Sequence, residues 1–382
     1  MYNKTLKSLL RVHASNIPGW RTKRKIVVIE SDDWGSIRMS SQDAFNCLLK
    51  SGVPVDKSHY NINDSLECNK DLEALFETLT KFKDKTGRPP VMTGVNIMAN
   101  PVFEKIKASG YTEYFYEPYT ETLKRYPAHD KVYELWREGI VRRLFVPIFH
   151  GREHLNVLRW LSELKKGNES VLLAFDRFVT GIGKGINGEH IPDLQAAFDI
   201  DSPDDLPYLK DVLNTGLDLF EQLYGYKAKY FVPTNGPFNN SLEPVLRDNG
   251  IVYVNSGKVQ LEPLGNGQYK KNIRFLGQRN MLGQIYLTRN CFFEPAATGY
   301  EVPVGYDWLD YCLKEIEIAF KWHKPATISS HRVNYTGFLH PENRERGLKQ
   351  LTELLSRMLK RWPDIEFMTS VELGDLIIKS KI

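Results

Sequence analysis

Short apolar runs that alternate with longer segments of helical period constrain this chain more than any other feature. The runs fall at 25–31, 90–97, 143–149, 228–233, 251–255, 273–277, 284–290, 326–330 and 365–368. Between them the spacing predicts helices at 42–51, 70–84, 101–108, 130–138, 154–166, 208–223, 241–249, 308–321 and 342–361. Asp71–Leu79 is among the clearest, with apolar residues at 72, 75, 76 and 79. This alternation is the βα signature of a mostly parallel sheet covered by helices. A length of 382 residues could hold two domains, but α/β barrels often run this long as one.

Two segments break the rhythm. Residues 176–207 carry Gly181, Gly183, Gly185 and Gly188, then an acidic stretch with prolines. These glycines lack the strand–helix frame of a nucleotide-binding fingerprint. Residues 256–300 read as a β-rich excursion that turns at Gly265-Asn266-Gly267. Neither segment has linker composition. The expected organisation is an N-terminal extension, 1–24, docked on one barrel domain, 25–382, with insertions at about 176–207 and 256–300.

Bulk composition narrows the function classes. Fifty-one basic against 47 acidic residues leave a net charge of +4, too small to point to nucleic acid. Cys47, Cys68, Cys291 and Cys312 are scattered without CxxC spacing, which argues against a disulfide framework or a cysteine zinc site. There is no signal-peptide h-region. No run approaches the roughly 18 apolar residues of a membrane span. The expectation is a cytoplasmic protein without stable membrane insertion; the sequence does not give its oligomeric state.

Polar groups cluster where strands end. Asp32 and Asp33 close the first run. His150 and His154 follow the third, Asn235 and Gly236 the fourth, and His331 closes Ala326-Thr327-Ile328-Ser329-Ser330. In a barrel, catalytic groups gather just past the C-terminal ends of strands. One aspartate and two histidines make a three-ligand set for a divalent metal with an open position for water. His150 and His154 share one face if a helix begins there. The pattern points to metal-assisted hydrolysis. An Asp-Asp pair also suits a turn or helix cap, and a lone histidine is usually a core residue. It is the joint placement that favours chemistry. His13, His59, His129, His190, His323 and His340 lack such a context.

In this order, these residues resemble the polysaccharide deacetylases of the NodB-like family, carbohydrate esterase family 4. Asp32-Asp33 is similar to the family's first motif and His150-Gly151-Arg152-Glu153-His154 to its His-x-x-x-His motif. Phe231 to Gly236 resembles the Arg-Pro-Pro-Tyr-Gly loop, Tyr306-Asp307-Trp308 the Asp-Trp segment, Ser330-His331 the late histidine, and Phe367 to Leu373 the closing segment. The resemblance spans 25–375 and implies a distorted (β/α)7 TIM-like barrel that removes acetyl groups from sugars. It implies Asp32 as general base and His331 as general acid. It further implies Asp33, His150 and His154 as metal ligands, with the backbone N–H of Asn235 on the oxyanion. One divalent metal is expected, Zn by preference, with Co, Ni or Mn able to substitute.

Two positions depart from the pattern. Val232 stands where the family has an arginine that clamps the catalytic base, with Arg38, Arg274 or Arg332 as replacements; Gly151 stands for a small hydroxyl. Trp34, Asp307 and Trp308 are the expected substrate contacts, Trp34 by stacking on a sugar ring. The 176–207 insertion is expected to rim the open end as a glycine-hinged flap. Its Asp199, Asp201, Asp204 and Asp205 would disfavour anionic glycans, leaving a neutral or amine-bearing acetylated sugar as substrate. Two other readings stay open: a metal-dependent hydrolase of another non-peptide C–N bond, and a carbohydrate-binding protein that has lost turnover, which Val232 favours.

Overall fold

Ile26, Val27, Val28 and Ile29 are all buried, because both faces of their strand are covered. Side chains alternate across a strand, so the two parities enter different cores. Val27 and Ile29 pack with Leu72, Phe76, Trp136 and Leu351 under the outer helices. Ile26 and Val28 pack with Val95, Ile148, Tyr230 and Leu287. Glu30 and Asp32 share the parity of this second, inner set.

The computed structural model describes residues 10–297, 302 and 306–380. Its strands are β1 (Lys25–Trp34), β2 (Met92–Ile97), β3 (Ala99–Pro101), β4 (Tyr116–Pro118), β5 (Phe145–Gly151), β6 (Tyr230–Phe231), β7 (Tyr253–Asn255), β8 (Val259–Gly265), β9 (Gln268–Ile273), β10 (Ile285–Leu287), β11 (Cys291–Phe292), β12 (Ala326–His331) and β13 (Ile365–Phe367). The main sheet runs β10-β7-β6-β5-β2-β1-β12-β11, with β13 paired to the start of β1. Every pairing in it is parallel.

The ends of this order are β10 and β11, and only Thr288, Arg289 and Asn290 separate them. Four residue steps span at most about 14 Å, so the two edges of the sheet lie close together. Residues 285–292 thus act as one interrupted strand that pairs β7 on one side and β12 on the other. Counted so, β1, β2, β5, β6, β7, β10–β11 and β12 form a curled seven-stranded barrel, distorted at this seam. Its interior is filled, and the helix Ser370–Lys379 packs Leu373 and Ile377 into it.

Most expected elements appear within a few residues. The exception is 273–277: the chain instead makes the antiparallel hairpin β8–β9 and leaves 274–278 as loop. The hairpin turns at Gly265, Asn266 and Gly267, all at positive φ, and Asn266 N–H donates to the Asp201 carbonyl. The helix expected from 154 begins at Val157, capped by the Asn156 side chain. In the extension, Lys324 Nζ donates to the carbonyls of Pro18, Gly19 and Trp20 at 2.7 Å each.

The 176–207 segment is not a free flap. Val179, Ile182, Ile191 and Leu194 are buried in the cluster that holds Trp160 and Phe175. Of its four glycines only Gly188 has positive φ. Its acidic end is spent on structure. Asp199 and Asp201 pair with Arg159 at 2.9 and 2.7 Å, and Asp205 accepts the N–H groups of Asp201 and Ser202.

Candidate active site

β1 and β2 slip register between Ser31 and Trp34, and Asp33 adopts φ 78°. That break in alternation lets the adjacent carboxylates of Asp32 and Asp33 face one cavity. It also sends Trp34 the other way. Trp34 is fully buried, meets Phe145 edge-on at 5.0 Å, and donates its indole N–H to Ser31 Oγ. It offers no face to a sugar. Asp307 is spent as the N-cap of the helix Trp308–Lys321, and the Trp308 indole donates to the Ala297 carbonyl. Neither lines the cavity that holds Asp32 and Asp33. Tyr306, the first residue of that segment, stacks on Tyr311.

The cavity measures about 370 Å³ and is lined by Asp32, Asp33, His150, His154, Asn235 and His331, together with Arg38, Tyr60, Gln195 and Arg289. Asp33, His150 and His154 converge: one ligand atom from each lies within 4.8 Å of the others. His150 Nε2 and His154 Nε2 stand 3.6 and 3.1 Å from Asp33 Oδ1. The histidines are not on a helix. His150 is the penultimate residue of β5, Gly151 ends the strand and turns the chain at φ 138°, and His154 returns from the loop.

The donor set fits a divalent ion. A carbonyl only accepts, so His150 Nδ1, 2.7 Å from the Val232 oxygen, carries its proton, and the ring's free lone pair belongs to Nε2. That Nε2 is buried and has no hydrogen-bond partner. Burial holds the His154 imidazole below its ordinary pKa in spite of Asp33. Burial alone would raise the Asp33 carboxyl, yet the facing histidines hold it well below the carboxylate range. An ionised oxygen beside imidazole nitrogens is the ligand chemistry of Zn and its first-row neighbours.

Asp32 is held differently. Arg289 donates to both its oxygens, Nη1 to Oδ2 and Nη2 to Oδ1, each at 2.6 Å. The same guanidinium reaches Glu30 through Nε and Ser329 Oγ at 3.2 Å. Burial pushes the Asp32 carboxyl up, but Arg289 overcomes it and the pKa lies below the ordinary value. Arg289 therefore clamps Asp32, a contact that Val232 has no polar group to make. The three arginines expected there do other work. Arg332 pairs with Asp64 and Glu67 in full burial, Arg274 lies over the Tyr286 ring, and Arg38 sits nearer Asp33, at 3.5 Å.

His331 Nε2 is 3.8 Å from Asp32 Oδ2, while its Nδ1 is 2.5 Å from Glu294 Oε1. Burial would lower its pKa, but Glu294 and then Asp32 raise it to about 10. Asn334 Nδ2 fixes the other Glu294 oxygen at 2.7 Å. Asn235 lies on the cavity wall at φ 52°, with its side-chain amide on Asp193 at 3.1 and 3.3 Å.

No protein-family model matches the sequence, and no curated protein matches it either. Solved structures are similar in chain path. One, provisionally named a polysaccharide deacetylase and from Mycobacterium smegmatis, is 11% identical with a TM-score of 0.46 over 96% of this chain and 94% of that one. The Puue allantoinase is 12% identical with a TM-score of 0.47 over 94% and 93%. BA3943, a CE4 family pseudoenzyme from Bacillus anthracis, is 10% identical with a TM-score of 0.32 over 87% and 62%. At such scores the likeness assigns no residue a role; the side chains must do that. No helix among the described residues is long and apolar enough to cross a membrane.

Proposed function

We propose that this protein is a metal-dependent deacetylase that removes acetyl groups from sugars, N-acetylated in preference to O-acetylated. One observation carries the reading: a buried Asp33–His150–His154 set lies beside an arginine-clamped aspartate and a glutamate-paired histidine in one cavity. Asp33, His150 and His154 would hold the ion. When bound, a divalent cation lowers the pKa of a water and polarises an acyl carbonyl.

The remaining work falls to side chains. Asp32, kept ionised by Arg289, is the acceptor for the proton of the attacking water. Its pairing with Arg289 also keeps it from competing for the ion. His331, protonated at neutral pH by its contact with Glu294, gives its Nε2 proton to the departing amine. The Asn235 backbone N–H is the proposed donor to the developing oxyanion. Acetate release from a panel of acetylated glycans, measured with and without chelator, tests the reading. Release that survives complete chelation, or no release from any member, would sink it.

One feature favours a second reading, hydrolysis of a different non-peptide C–N bond in a small polar molecule. Among the described residues that line the cavity, and apart from the two ligand histidines and His331, Tyr60 is the single aromatic side chain, so these residues build no broad sugar-stacking platform beside the metal set. Turnover of small amides and ureides alongside the glycan panel separates the two.

A further inference from the structure

Arg38 and Gln195 play no part in the chemistry above, yet both line the cavity and both are nearly buried. Arg38 Nη1 donates to Gln195 Oε1 at 2.5 Å. A guanidinium cannot accept, so this bond fixes which end of the Gln195 amide is oxygen. The other end, Nε2, is then a buried donor with no partner. Arg38 is itself short of acceptors. Its nearest carboxylate oxygens, on Asp33 and Asp64, are 3.5 and 3.6 Å away, beyond good hydrogen-bond length. Asp33 belongs to the metal set; Asp64 accepts from Arg332 at 3.0 Å through Oδ1, and its Oδ2, the oxygen nearest Arg38, has no partner within hydrogen-bond distance.

The surroundings preserve this pair. A Cβ on Gly181 would sit 2.9 Å from the Gln195 amide and 3.1 Å from Arg38 Nη1, so the backbone at 181 leaves room only for glycine while the pair stays in place. The Tyr60 ring lies 5.0 Å from the guanidinium carbon. Two planar N–H donor groups, side by side and under-supplied with acceptors, suit a planar anion with two oxygens.

We propose that Arg38 and Gln195 form a carboxylate subsite, at which the substrate's carboxylate takes the Gln195 amide and the unused guanidinium N–H groups beside Asp33. This rests on the reading of the site as an amide hydrolase and narrows its substrates to acyl amides that carry a carboxylate. It replaces the neutral substrate expected from the acidic 199–205 stretch, whose Asp199, Asp201 and Asp205 are bound elsewhere.

The test is a ligand-observed NMR titration of the chelator-treated full chain with N-acetylglycine and with N-acetylglycinamide. Removing metal stops the carboxylate from binding an ion instead. The carboxylate form should bind at least about tenfold more tightly, the equivalent of one charge-assisted hydrogen bond. Gln195→Glu sets a carboxylate against Arg38 and should abolish that preference, as should Arg38→Gln. Should Arg38→Gln fail to fold, Gln195→Glu decides. Equal affinity of the two probes for the wild type overturns the subsite, and so does a preference that survives Gln195→Glu in a folded variant. Chelator-sensitive acetate release with no carboxylate preference would remove the subsite alone. An intact preference with no hydrolysis of any substrate would remove the hydrolase reading and leave the subsite.

Discussion

Replacing Arg289 with methionine should raise the pKa of Asp32 and move the acid limb of activity with it. The wild-type carboxylate receives two guanidinium bonds of 2.6 Å in a buried position on the cavity wall. Removing an opposite charge at that range shifts a carboxyl by about 1–3 units. The desolvation that Arg289 now overcomes stays behind, so the new value lies above the ordinary carboxylate range. At 1.36 kcal/mol per unit the change amounts to roughly 1.4–4 kcal/mol. Glu30 loses its partner as well, so the folding cost should approach the roughly 3–5 kcal/mol of a broken buried pair. The sign follows from linkage. In the wild type Asp32 is depressed, so its contribution is present above the unfolded pKa and fades as pH falls through the lower folded value. In the variant the folded pKa is raised, and the ionised group opposes folding at neutral pH. Carboxyl ¹³C NMR across pH reads the Asp32 titration directly, and the pH dependence of kcat/KM reads its consequence. A folded variant in which Asp32 titrates as in the wild type would refute the clamp.

The adjacent aspartates should separate: Asp33→Ala should lose metal by elemental analysis. Asp32→Asn should keep the metal and lose turnover by about 10²–10⁴-fold, and the reverse outcome would exchange their roles. Glu294→Gln should bring His331 down from about 10 and pull the alkaline limb of kcat to lower pH. Because the folded His331 pKa is raised, its stabilisation is complete below the unfolded value near ~6.5 and lost as pH rises through the folded value; thermal melts of Glu294→Gln should lack that high-pH loss. Excising 178–204 should unfold the chain rather than retune KM, since it removes buried Val179, Ile182, Ile191, Leu194 and Phe198; a melt as cooperative as that of the wild type would contradict the packing.

The polar strand ends were legible because a barrel brings them together whatever lies between. Strand order brings Asp32, His150 and His331 to one end of the barrel, while Asp33 joins them through the slip after Ser31 and His154 through the turn at Gly151. The residues that tune them were not legible. Arg289 lies in the three-residue crossing of the barrel seam, where a lone arginine looks like any surface cation, although it falls inside a run, 284–290, expected to be a strand. Glu294 and Gln195 arrive from irregular loops that carry no period. Trp34 misled because adjacency in sequence implies the same cavity only while strand alternation holds, and the slip after Ser31 breaks it. The 176–207 segment misled through its glycines: Gly181 and Gly185 lie close against neighbouring side chains rather than serving as hinges.

The most direct test of the whole account is an anomalous-scattering map from crystals of the full chain grown with Zn. One strong peak should lie within bonding distance of Asp33, His150 Nε2 and His154, with Asp32 still on Arg289, and Asp33→Ala should show no such peak. A peak elsewhere, or a site ligated without either histidine, would contradict it.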